Sequence, residues 1–317
     1  MKGKRLLALL LCLTTLCGAL SFSAAAEGSG DAAEVLGVTG EEYAQADSTK
    51  PYLVLGADLN ADQLSTVLGL LGVDNPAAYQ QDYNVYYTTN AEEYAYFGDY
   101  LDASVIGSKA YSSILLTPRE KGEGISITTR NISYCTVEMY QNALITAGVS
   151  DVELVVAGPT NISGTAALVS AMKAYQIMTG ETLDAQSVDA ANNELVLTGE
   201  IGEELGDSTT AAELIATLKN ELFANGTDIT EQDIIDVLDR VCKELGITLD
   251  EATRQQIIDL MKKIASTDFD VSALEEQAKE LFDRVSGILD ELSGGEAGNF
   301  FARLWNSIVS FFQKLFQ

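Results

Sequence analysis

Ser170-Ala171-Met172-Lys173 has the S-x-x-K spacing, in which a lysine amine takes a serine proton and leaves a nucleophile for acyl transfer. The S-D-N and K-T-G motifs that complete such a site do not occur in the chain. Ser170 also falls about two turns inside a helix rather than at its start. The pair is therefore expected on the polar side of an amphipathic helix.

Just upstream, "VVAGPTNISGTAAL" reads as a buried strand, a Gly/Pro/Ser/Thr-rich turn and a helix start. A P-loop would need a lysine after its second glycine, but Thr165 and Ala166 follow Gly164. The three spaced glycines of a dinucleotide fingerprint are missing too. Ser163, Gly164 and Thr165 remain a candidate for binding an anion or other ligand, because free N–H groups at a helix N-terminus attract negative charge. The alternative is that Ser163 or Thr165 simply caps the helix. A third cluster, "TGEIGEELG", gathers Glu200, Glu203 and Glu204. Paired carboxylates could do acid–base work on a glycosidic bond or hold Ca²⁺, although no EF-hand spacing is present. With 47 acids in the chain, a solvated acidic turn is the competing explanation.

The composition narrows the chemistry further. His is absent, which removes His-based triads, His general bases and most transition-metal sites. No catalytic residue, cofactor or metal ligand is assigned from the sequence. A formal charge of −28 repels nucleic acid. Four cysteines occur, of which Cys135 and Cys242 lie outside the N-terminal segment; two cysteines form no framework, and they are expected unpaired.

These residues must be positioned by secondary structure. Lys2, Lys4 and Arg5, an apolar run from Leu6 to Leu20 and a small-residue site at Ala24-Ala25-Ala26 read as a secretory signal peptide, residues 1–26, cleaved near Ala26. Residues 27–50 read as a mobile leader. Strands are expected at Tyr52–Leu55, Asn84–Thr88, Ser112–Thr117, Ile125–Ile132, Val152–Ala157 and Glu194–Thr198. Helices are expected after Asn60, over Ala91–Tyr100, after Thr136 and along the inner face Leu168, Ala171, Met172, Tyr175 and Met178. This alternation predicts a mixed α/β layer structure over residues 51–207. Residues 208–292 read as an all-α region, with capping boxes at Thr230/Asp233, Thr248/Glu251 and Ser272/Glu275.

Residues 296–317 read as a terminal amphipathic helix with Phe301, Leu304, Trp305, Ile308, Phe312 and Leu315 in one stripe. Arg303 and Lys314 outnumber its single acid, Glu296, so the stripe is a candidate for contact with a membrane surface or a partner.

Six segments in order, "LGADLNADQ", "YFGDYL", "IGSKAYSS", "NISYCTVEMYQNALITAGV", "SGTAALVSAMKAY" and "ANNELVLTGEIGEELG", resemble the DUF1002 family of exported proteins of Gram-positive bacteria, over roughly residues 50–290. The resemblance implies an extracytoplasmic protein of unknown biochemical activity and carries over no catalytic residue. The sequence thus predicts an exported, envelope-associated protein that binds an unknown protein or envelope ligand without catalysis. A carboxylate-dependent hydrolase of cell-wall material is the alternative.

Overall fold

The computed structural model describes residues 46–223 and 226–267. Five strands form one sheet in the order β2-β1-β3-β5-β4: β1 Tyr52–Gly56, β2 Asn84–Thr88, β3 Ser113–Pro118, β4 Ile125–Ile132 and β5 Val152–Ile162. The outer pairs β1/β2 and β4/β5 are parallel, each joined through a helix. β3 runs antiparallel to both of its neighbours, β1 and β5.

Helix α1, Ala61–Leu71, starts where the sequence indicates: Asn60 accepts from Gln63 N–H and Gln63 reaches back, a reciprocal cap. It covers one face of the sheet, where Leu53, Leu55 and Ala157 meet Val67, Leu68 and Leu71. The alternate residues Tyr52 and Val54 point to the other face, into the main core with Ile114, Leu116, Leu154 and Val156. This period of two is the strand pattern that the sequence shows.

On that second face lie α2 Asn90–Phe97, α3 Val137–Thr146 and α4 Thr165–Thr179. Beyond them pack α5 Ala185–Leu205, α6 Ser208–Phe223, α7 Glu231–Leu245 and α8 Glu251–Ala265. One continuous core runs from Tyr52 through the sheet and helices to Ile264.

Three expectations about elements change. Glu194–Thr198 lies inside α5, which is capped by Asp184 and ended by Gly206 in the left-handed region. Leu195, Val196, Leu197 and Thr198 are all buried, and a short apolar run buried on every side looks the same in a helix or a strand. Second, β5 does not end at Ala157. It continues through Gly158 and Pro159 because the register shift between Arg130 and Ile132 lets Ile132 pair with Ile162. Third, α8 is capped by Asp250, which accepts from Thr253 N–H, not by Thr248. The Thr230/Asp233 box is present as expected, whereas Ser272 and the stripe from Phe301 to Leu315 lie outside the described residues.

Candidate functional site

Gly164, not Ser163 or Thr165, is the N-cap of α4, with φ +97° and no side-chain cap. Neither hydroxyl is used for capping because both serve other contacts. Thr165 is fully buried and donates to Glu93, and Ser163 Oγ stands 3.3 Å from Thr165 Oγ1. Glycine is required at 164. A Cβ there would lie 2.4 Å from the Tyr140 hydroxyl and 2.6 Å from Ile132 Cγ2. The Tyr140 hydroxyl donates to the Gly164 carbonyl at 2.6 Å.

Glu93, on α2 and 2% exposed, places its carboxylate against this helix start and accepts from Thr165 Oγ1 and the Ala166 N–H. The position that an external anion would take at the α4 N-terminus thus holds a carboxylate of the protein itself. Burial outweighs these hydrogen bonds and raises the Glu93 carboxyl above its ordinary range. Beside it, Cys135 is buried and free, and burial pushes its thiol up to about 12. Cys242 is also buried and free.

The Ser-Lys pair is buried, not exposed: Ser170 is 0% and Lys173 5% accessible. The reason is that α4 is sandwiched between the sheet and the outer helices, so nearly its whole circumference is interior. Ser170 Oγ lies 2.8 Å from Thr88 Oγ1 and 2.9 Å from the Ala166 carbonyl. Lys173 Nζ donates to the Tyr87 carbonyl and to Glu92 Oε1, each at 3.0 Å. Those partners hold the two side chains to the end of β2 and the start of α2, and they account for both residues by packing.

The acidic trio stands on the last turns of α5. Glu204 is engaged at the α8 start, accepting from Asp250 N–H at 3.0 Å and Thr253 Oγ1 at 2.8 Å. Glu203 is exposed, and Glu200 Oε2 is 3.5 Å from Gln256 Nε2. Of the three, Glu200 lines a cleft. The cleft is about 270 Å³ and is walled by Asp99, Tyr100, Asn193, Val196, Leu197, Glu200, Gln256 and Asp259. Partial burial first, then the charge of Glu203, raises the Glu200 carboxyl, and the Gln256 hydrogen bond opposes this. Tyr100 is fixed at the rim: its hydroxyl donates to Asp189 and accepts from Lys263 Nζ at 2.9 Å. Lys263 also pairs with Asp189 at 2.8 Å and lies 5.2 Å from the Tyr100 ring centroid.

The sequence marks Glu200 but none of its cleft neighbours, since the turn after α2 and the helices α5 and α8 meet only through folding. Among the described residues, no group of three His, Cys, Asp or Glu could hold a metal ion. No helix there is long and apolar enough to cross a membrane.

The model of DUF1002, described as a protein of unknown function, matches residues 55–281. The chain is 36% identical over 265 residues to a protein named "Uncharacterized protein YpuA" from Bacillus subtilis (strain 168). That match covers 82% of this chain and 89% of the relative. No solved structure matches. On the extent of the family match and of this relative, the chain belongs to the DUF1002 family of proteins of unknown function.

Proposed function

We propose that this protein is an exported, envelope-associated binding protein without catalysis of its own, and that the cleft between the turn after α2 and the helices α5 and α8 takes its ligand. The observation that carries this reading is the lining of the cleft. Tyr100 offers part of an aromatic ring above the buried Val196 and Leu197, Asn193 and Gln256 offer amides, and Asp99, Glu200 and Asp259 offer acceptors. Such a mixture suits a polyhydroxylated segment of a wall glycan, whose hydroxyls donate to carboxylates while a C–H face rests on the Tyr100 ring. Export rests on the basic, apolar and small-residue parts of residues 1–26. Contact with a membrane surface rests on the Phe301–Leu315 stripe with its two cations.

Calorimetric titration with soluble wall-glycan fragments tests the cleft. Wild-type protein is expected to bind, and Tyr100→Ala and Glu200→Ala each to weaken binding by about tenfold, near 1.4 kcal/mol. An absence of binding by the wild type defeats the reading. New reducing ends in the same samples would favour the hydrolase alternative, with Glu200 paired to Asp99 or Asp259, because Glu204 is held at the start of α8. Co-sedimentation with anionic vesicles, with and without residues 296–317, tests the membrane contact. Equal pelleting of the two chains would remove it.

A further inference from the structure

Glu194 on α5 and Lys219 on α6 meet with both side chains 0% exposed, Lys219 Nζ lying 2.8 Å from Glu194 Oε1. Thr146 on α3 touches both partners. Its hydroxyl donates to Glu194 Oε2, and its oxygen accepts from Lys219 Nζ at 2.9 Å. The backbone carbonyl of Asn142 accepts a further hydrogen bond from Nζ at 2.8 Å. An amine, a carboxyl and a bridging hydroxyl are therefore fixed together in the buried interface of three helices. Taking both charges out of water is costly even when they are paired. Burial accordingly raises the Glu194 carboxyl and lowers the Lys219 ammonium, the two directions that favour a neutral amine beside a neutral acid.

We propose that Lys219 and Glu194 condense to an intramolecular amide that cross-links α5 to α6. Transfer of the proton between Nζ and Oε1 to the carboxyl frees the Lys219 nitrogen lone pair, which forms the new bond to Glu194 Cδ. One carboxyl oxygen departs with the electron pair of its broken C–O bond. It leaves as water, carrying the carboxyl proton and one proton from the amine. Thr146, hydrogen-bonded to Nζ and to Oε2, is placed to relay that amine proton. No oxidant, cofactor or added reactant enters the balance. Fixing nucleophile and electrophile in contact replaces a collision in solution with an intramolecular step, and the interior excludes the water that would reverse it. The result is a covalent tie in the helical layer that denaturants cannot open.

Mass spectrometry of the denatured protein decides the matter without requiring any variant to fold. After digestion, the peptides containing Glu194 and Lys219 are expected as one branched species, lighter than their sum by one water. Fragmentation should place the bond between those two side chains. The Lys219→Arg chain should give the two peptides separately at full mass. Two linear peptides of full mass from the wild type would overturn the proposal. So would a branched species lighter by one ammonia and joined at Asn142, which would assign the bond to a different electrophile.

Discussion

At the α4 start, Gly164, Glu93 and Tyr140 depend on one another. Gly164 supplies the φ of +97° that turns β5 into α4, and its missing side chain leaves room for the Tyr140 hydroxyl. Gly164→Ala is expected to cost about 2 kcal/mol or more, from the left-handed backbone and the displaced Tyr140, read as a lower urea midpoint. Glu93 gives a pH signature. Its folded carboxyl titrates above the ordinary 4.5, so the folded state binds this proton more tightly than the unfolded chain. Its contribution is full below that ordinary value and is lost as pH rises through the raised one. Glu93→Gln should flatten the stability profile just above 4.5, measured by urea midpoints across pH. A variant profile as steep as the wild type would assign that slope to another buried carboxyl.

Element boundaries follow local chemistry where caps are sharp. Thr230 and Asp233 satisfy one another's backbone N–H groups at the start of α7, and these hydrogen bonds hold Asp233 below its usual range. The sign is opposite to that of Glu93: this stabilisation is present above the ordinary aspartate range and lost as pH falls through the depressed one. Thr230→Ala should destabilise by about 1 kcal/mol and return Asp233 towards an ordinary titration, read by carboxyl chemical shifts. The expected strand β2 coincides with the observed Asn84–Thr88, because its Val/Tyr/Thr run stands between clear breakers. The misread segment Glu194–Thr198 had no such help. Its apolar run is short, its Asp184 and Gly206 caps are distant, and burial on all sides erases the helical period. The same all-round burial defeated the amphipathic reading of α4, where Ser170 and Lys173 face protein rather than water.

For the whole molecule, the decisive feature is one core that runs past residue 207. Leu214, Ile215 and Leu218 of α6 and Ile257 and Leu260 of α8 belong to the same cluster as the sheet residues Val54 and Leu154. A chain ending at Asp207 would leave the outer surface of α3 and α5 bare. It is expected to lose cooperative unfolding, measured by circular dichroism and calorimetry. Independent, cooperative folding of that shorter chain would instead mark residue 207 as a true domain boundary. The sequence alone located the five observed strands, beside a sixth that is helical, and the α1 and α7 caps, because a period of two and a side-chain acceptor before a helix are local properties. It also determined the lack of histidine chemistry. Tertiary structure alone decided that Glu93 fills the α4 start, that Lys219 reaches Glu194, and that Glu200 faces a cleft with Asp99 and Asp259. Each of these joins residues far apart in the chain, and only the packing of helices against the sheet and one another brings them within reach.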